Sequence, residues 1–253
     1  MNEKQTPYQY DVIIVGASVA GSTAAILFAR EGLRVALIER DRDIEAYKKA
    51  CTHFIQPYAL PILNKLGVTK AIEAAGGVAN GGYAWTRYGW IGSGVNPKAH
   101  GYNIRRQILD PILRHKAAET PGVDLFLGTA VRELILQRGR YVGIRANGPN
   151  HQVLTFRAGL VVGADGRYSR TAHLAELPTR TYENNRFMYY AYYQNMHLKS
   201  GQATQAWFLG EDAAYAMPND NGYTLLAVMP AKSKLEAFKQ DIEGHFNEMI
   251  RSL

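Results

Sequence analysis

The sequence predicts an α/β fold containing two sheets of different character. Three observations lead to it. Residues 10–15 and 34–39 are short apolar runs of the kind that fill a parallel sheet buried on both faces, and a stretch rich in Ala, Leu and Ile lies between them. Residues 124–157 form short alternating segments separated by glycine turns, the pattern of a β-meander. From 186 to 228 the texture changes to aromatic, alternating runs (FMYYAYYQN, AWFLG, AYAMP, YTLLAVMP), which predict a second, antiparallel sheet.

The first strand ends at Gly16. Residues 17–31 then read as a helix, with Gly32 where a left-handed glycine ends it. The run at 34–39 completes a β–α–β unit, whose connection should be right-handed. Residues 57–66 and 69–75 look helical and are separated by Gly67, whereas 76–94 reads as a glycine-rich loop with a strand near 83–88. Asp110 is placed to cap a helix with Pro111 at its first position, running to about residue 118. The meander turns at Gly128, Gly139 and Asn147-Gly148. Residues 160–164 are another buried-type strand before a turn and a short helix. Gly210-Glu211 reads as a hairpin turn. Residues 233–253 read as one amphipathic helix, with Leu235, Phe238, Ile242, Phe246 and Met249/Ile250 at spacings of three and four. The expected domains are 1–80 with 100–178, and 81–99 with 179–253.

Composition narrows the function. The 253 residues are 47% hydrophobic and 20% charged and include one cysteine, which excludes disordered, collagen-like and disulfide-scaffold classes. A single cysteine cannot form an intramolecular bridge and favours a reducing, cytoplasmic setting. The opening run MNEKQTPYQY is polar and carries both charge signs, unlike a signal peptide, and no apolar run approaches the roughly 20 residues needed to span a bilayer. The net charge is +7, yet basic residues are scattered, the longest clusters being Lys48-Lys49 and Arg105-Arg106. That scatter points to an anionic cofactor rather than nucleic acid. There is no metal-ligand cluster and no Ser-His-Asp order. The expected partner is a small-molecule substrate, and no pattern specifies an oligomeric state.

The chemistry begins at VIIVGASVAG. A phosphate-binding β–α turn needs glycine for a tight bend, for close approach of pyrophosphate, and for close helix–strand packing. Gly16 and Gly21 supply the first and third, with Ala17 and Ala20 filling the turn between them. Ser18 occupies the second position, where its Cβ narrows the approach but its hydroxyl could donate to a phosphate oxygen. Helix N–H groups and the macrodipole would hold the diphosphate. Glu39 lies 23 positions after Gly16 and would accept ribose hydroxyls. This pattern predicts dinucleotide binding and does not separate FAD from NAD(P).

A second motif separates them. Residues 160–170 read LVVGADGRYSR. Through Gly163, Ala164, Asp165, Gly166 and Ser169 the sequence resembles the FAD-dependent monooxygenases of the aromatic-hydroxylase type and the related geranylgeranyl reductases. Arg170 directly follows the serine, where that pattern spaces the arginine further on. The resemblance implies a Rossmann-like FAD-binding domain of the glutathione-reductase type, with the meander and a substrate sheet added. It places the Asp165-Gly166 turn between the FAD-binding core and the nicotinamide approach path, with Asp165 nearer the diphosphate and ribityl. It implies that Arg106, in the match R-x-x-L-D-x-x-L, contacts the diphosphate or ribityl region. A salt bridge from Arg106 to Asp110 at the start of a helix is the alternative. Arg40 would stack near the adenosine, and Val131 would offer backbone groups to the adenine.

The loop KKACTHFIQP falls where both subfamilies reach the flavin. Cys51 sits like the cysteine of the reductases' Cys-Gly-Gly, but Thr52-His53 replace the glycines. Cys51 reads more readily as a small buried hydrophobe than as a reactive thiol. His53 could assist proton transfer or hydrogen-bond within its loop, and no catalytic residue is assigned. The tyrosines at 189, 190, 192 and 193 alternate across a strand, and one face could line an aromatic pocket. The activity implied by resemblance is NAD(P)H-dependent oxygenation of an aromatic or lipophilic molecule through a flavin C4a-hydroperoxide. The alternatives are reduction of an isoprenoid double bond, or a truncated, inactive FAD-binding fragment. The family continues to a Gly-Asp motif and a long helix, so this chain reads as the front portion of such an enzyme.

Overall fold

The computed structural model describes residues 6–253, and the first five residues of the polar N-terminal run lie outside it. The chain divides into two compact units. The first comprises Met1–Cys51, Leu66–Val68 and Arg106–Thr179, and the second Thr52–Lys65, Thr69–Arg105 and Arg180–Leu253. Residues 52–65, 69–80 and 100–105, expected in the first domain, cluster with the second.

The first unit is built on a four-stranded parallel sheet in the order Leu160–Gly163, Val12–Val15, Val35–Ile38, Val123–Phe126. Both central strands are buried at every position (VIIV and VALI), which explains their unbroken apolar sequence. Ile13, Val15, Ala36 and Ile38 face a layer formed by Val131, Leu134, Ile144, Ala146, Leu154 and Phe156. That layer is the meander Ala130–Gln137, Arg140–Asn147, Val153–Arg157, extended by the short parallel strand Tyr8–Gln9. Its expected first segment differs: Val123–Phe126 joins the parallel sheet instead. The helices Val19–Arg30 and Arg106–Ala118 pack together, burying Ala25, Ile26 and Ala29 from one and Leu109, Leu113 and Ala117 from the other. Gly32 takes φ +85° past the end of the first helix, as expected.

The second helix begins five residues earlier than the Asp110-Pro111 pair suggests, and Pro111 lies inside it. Asp110 does not cap because its carboxylate is already engaged: Arg106 Nε donates to Oδ1 at 2.7 Å and the Lys48 N–H to Oδ2 at 3.0 Å.

The second unit is dominated by a six-stranded sheet in the order Tyr189–Gln194, Tyr223–Met229, Asp212–Pro218, Thr204–Leu209, Gly82–Thr86, Gly89–Gly94. It is mixed rather than antiparallel, because Thr204–Leu209 pairs in parallel with Gly82–Thr86. The glycine-rich stretch is also more ordered than expected, supplying three strands. Gly210, at φ +72°, turns the hairpin in which Leu209 faces Asp212. One face of the sheet packs Trp207, Ala214, Ala216, Leu226 and Val228 against Phe238 and Phe246 of the C-terminal segment. That segment is two helices, Leu235–Gln240 and Ile242–Arg251, not one. Asp241 breaks it, adopting φ −144° and accepting the Gly244 N–H on its carboxylate at 2.9 Å. Among the described residues, no helix is long and apolar enough to cross a membrane.

Candidate functional site

In the first unit, the ends of three parallel strands converge. The Gly16 N–H donates to the Ile38 carbonyl at 2.7 Å, and the Ala164 N–H to that of Val15 at 2.8 Å. The strand Val12–Val15 lies between strands reached in opposite directions, the switch point where open α/β sheets bind ligands. The two glycine motifs therefore meet. A Cβ on Gly16, which has φ +98°, would lie 2.6 Å from the Ala164 carbonyl oxygen. A Cβ on Gly21 would lie 1.7 Å from the Gly16 carbonyl oxygen. Close packing of helix against turn is what these two glycines permit.

Glu39 is only 8% exposed and closes the turn from the side. Its Oε2 accepts the Ala17 N–H at 2.8 Å and its Oε1 the Asp41 N–H at 3.1 Å. Its carbonyl accepts the Thr129 N–H at 2.8 Å, which puts Val131, two residues on, at the same end of the fold. Val131 itself is buried and pairs with Ala146, just before a register irregularity in the meander. Arg40 and Ala20 are exposed, and Ala17 is buried.

Ser18 begins the first helix without capping it through its side chain. Its hydroxyl instead accepts Arg106 Nη2 at 2.6 Å. The same guanidinium forks onto Asp110, at 2.7 and 3.0 Å, and approaches Cys51 Sγ at 3.8 Å. The bridge from Arg106 to Asp110 is present, and the same guanidinium reaches Ser18 in the glycine turn. Burial pulls its pKa down, but the hydrogen bond and charge of Asp110 outweigh that and raise it. Cys51 is half-buried rather than fully buried, with its Sγ 3.8 Å from Arg106 Nη1.

Asp165 holds the second motif together. It accepts Ser169 Oγ at 2.5 Å, and the Thr171 N–H and Oγ1 at 2.9 and 3.1 Å, while Ser169 caps the helix Arg170–Leu174. Burial raises its pKa, yet these hydrogen bonds together prevail and lower it. Gly166 follows at φ +86°.

Arg114 was not anticipated. It is 2% exposed, donates from Nε to the Ala17 carbonyl at 3.0 Å, and donates from Nη1 to the carbonyls of Ile44 and Ala46. Arg106, Asp110 and Arg114 recur every four residues, so a helix begun at Arg106 would have placed all three on one face. Reading Pro111 as the first helical residue hid that face.

In the second unit, His53 is 4% exposed and has φ +57°. Its Nε2 lies 2.5 Å from the Tyr192 hydroxyl, a partner contributed 139 positions away in sequence and so invisible there. Its carbonyl accepts the Ile104 N–H at 3.1 Å. Buried asparagines fix the neighbouring strands: Asn80 Nδ2 donates to the Ile55 carbonyl at 2.9 Å, and Asn103 Nδ2 to that of Pro218 at 2.9 Å. Arg105 is held on wholly buried Asp220, with Nε to Oδ1 at 2.7 Å, and its guanidinium carbon lies 4.4 Å from the Tyr223 ring centre. A cleft of about 430 Å³, lined by Val78, Met196, Leu198 and Tyr223 among others, has no Asp, Glu, Lys or Arg in its wall. No group of His, Cys, Asp and Glu among the described residues could hold a metal ion.

The chain is similar to known proteins. The chain is 33% identical over 175 residues to digeranylgeranylglycerophospholipid reductase 2 of Methanothermobacter thermautotrophicus, covering 68% of this chain and 43% of that protein. It is equally 33% identical over 175 residues to 6-methylpretetramide 4-monooxygenase of Streptomyces rimosus, covering 66% and 41%. The chain thus spans about two fifths of the length of these relatives. The fold matches that of the myxobacterial chondrochloren halogenase CndH with a TM-score of 0.83 at 23% identity, over 97% of this chain and 58% of that one. The FAD binding domain family matches residues 9–240, taking in both glycine motifs, Glu39 and Arg106. By that match, the chain belongs to the FAD binding domain family.

Proposed function

We propose that the first unit holds FAD, through a glutathione-reductase-type dinucleotide fold, and that the second receives a small molecule, in an oxidoreductase that uses NAD(P)H and oxygen to hydroxylate an aromatic or lipophilic substrate. The observation that carries this reading is Arg106 meeting Ser18 at the uncapped start of a helix whose turn is closed by Gly16, Gly21 and Glu39. A guanidinium, a hydroxyl and a helix N-terminus form a donor set suited to a diphosphate. The Glu39 carboxylate has lone pairs beyond the two it gives to backbone N–H groups, and these would accept ribose hydroxyls. Arg40 and Val131 would flank the adenosine, and Asp165 and Gly166 would form the wall toward the flavin. Bound flavin would supply electron transfer from the nicotinamide and activation of oxygen. The protein would anchor the dinucleotide, keep Arg106 charged, and give a neutral substrate a cleft in the second unit with no Asp, Glu, Lys or Arg in its wall.

Two specific observations support reduction of an isoprenoid double bond as a second reading. Cys51 lies beside the Arg106 guanidinium, and a reductase and a monooxygenase match the chain at the same identity. The test begins with FAD titration followed by flavin fluorescence, where saturable quenching is expected and its absence overturns the proposal for this chain. NAD(P)H and oxygen consumption with an oxygenated product then supports hydroxylation. Anaerobic turnover to a saturated product, lost in Cys51→Ala with FAD retained, supports the reductase.

A further inference from the structure

We propose that Tyr192 and His53 form an acid–base dyad in the second unit, with the Tyr192 hydroxyl as the proton-exchanging group and the buried His53 imidazole as its proton store. Placing that exchange at a substrate rests on the proposed function; the exchange between the two residues does not.

The geometry is specific. The Tyr192 hydroxyl and His53 Nε2 are hydrogen-bonded to one another. His53 is 4% exposed while Tyr192 is 38% exposed, so a sealed residue is joined to one that reaches the surface. His53 is held at φ +57°, an uncommon conformation for a non-glycine residue, with its carbonyl fixed by the Ile104 N–H. Tyr192 is set among the Tyr190 and Tyr223 rings, at 5.8 and 6.3 Å between ring centres. The Arg105 guanidinium lies 6.0 Å from the Tyr192 ring centre, with its charge balanced by Asp220. The phenol thus meets the imidazole beside two further phenols and the Arg105 guanidinium. An imidazole is a group that exchanges a proton near neutral pH.

Each partner of such a dyad stabilises the other's charged form. An imidazolium donates to the phenol oxygen, and a phenolate accepts from the imidazole N–H. When a ligand takes the Tyr192 proton, the phenolate is reprotonated from the His53 imidazolium, and His53 recovers a proton through the Tyr192 hydroxyl as the ligand leaves. When a ligand gives up a proton, Tyr192 passes its own to His53 and takes the ligand's. No electrons move and no other reactant is needed. Both proposed activities require proton exchange at the substrate, so the dyad serves either.

A purely structural bond, fixed with the phenol donating to a neutral imidazole, predicts the opposite signs. Losing it would make His53 easier to protonate and Tyr192 easier to ionise. The experiment is NMR titration of the 253-residue chain without flavin, using ring-labelled His and Tyr, in wild type, Tyr192→Phe and His53→Asn. Asn tolerates the left-handed conformation at residue 53. The dyad predicts that Tyr192→Phe lowers the His53 midpoint by about one pH unit and that His53→Asn raises the Tyr192 midpoint by a similar amount, each tenfold in proton affinity. Unchanged midpoints or shifts of the opposite sign overturn it. If one variant does not fold, the sign of the other decides. Flavin titration is measured separately, so failure of the dyad and failure of the cofactor assignment are distinguishable.

Discussion

Gly21→Ala separates tertiary packing from local propensity by sign. Gly21 lies within the helix Val19–Arg30, and an alanine inside a helix is normally favoured over glycine by about 1 kcal/mol. Its Cβ, however, would stand 1.7 Å from the Gly16 carbonyl oxygen, with the Ala164 Cβ a further 3.4 Å contact. An ordinary C···O contact is about 3.3 Å or more, so helix and turn must separate by roughly 1.6 Å. The atoms to be displaced are backbone, and Gly16 is itself backed by Ala164 and Asp165. Overpacking costs about 1–3 kcal/mol where side chains can yield, and the upper end applies against main chain. After the propensity gain, a net loss of about 2 kcal/mol is expected, or more than tenfold in the folding equilibrium of the first unit. Urea denaturation of Gly21→Ala beside Thr23→Ala measures it. Displacement of the helix N-terminus should also reduce FAD affinity at least tenfold. A Gly21→Ala protein with a raised or unchanged urea midpoint and undiminished flavin uptake would refute the packing argument.

Two other outcomes follow from the same unit. Arg106→Ala leaves the Asp110 carboxylate, 1% exposed, with the Lys48 N–H but without its cation; a loss of about 3 kcal/mol is expected in chemical denaturation, and an unchanged midpoint contradicts the buried pairing. Asp165 has its pKa held below the ordinary 3.8, burial opposing and the Ser169 and Thr171 hydrogen bonds prevailing. Its contribution is therefore present above about pH 4 and disappears as pH falls through the lowered native value. The stability gap between wild type and Asp165→Asn should narrow on acidification below pH 4, and a gap constant from pH 7 to pH 2 would count against this role.

Much of the first unit was legible because its signals are local. A strand buried on both faces shows as an unbroken apolar run, as at residues 12–15 and 35–38, and the positive-φ turns at Gly16 and Gly32 show as glycine. Arg106 and Asp110 stood out through their spacing, but not the helix start that sets them on one face with Arg114. Pro111 gave a strong N-terminal signal, and the tertiary engagement of Asp110 overrode it. The break at Asp241 was missed for a related reason: apolar spacing continues across it, and the capping bond to Gly244 leaves no mark on periodicity.

The sequence by itself determined the β–α–β turn, the acidic residue that follows it, and the second glycine motif, because these depend on residues a few positions apart. Only the tertiary structure decided that the two motifs abut, that Arg106 touches Ser18, that Thr204–Leu209 pairs in parallel with Gly82–Thr86, and that Tyr192 meets His53. Those contacts join residues separated by 88 to 139 positions for the side-chain pairs. Loop closure over such distances costs nearly the same free energy for many alternative pairings, so one chain read alone does not rank them. The packed cores of each unit do.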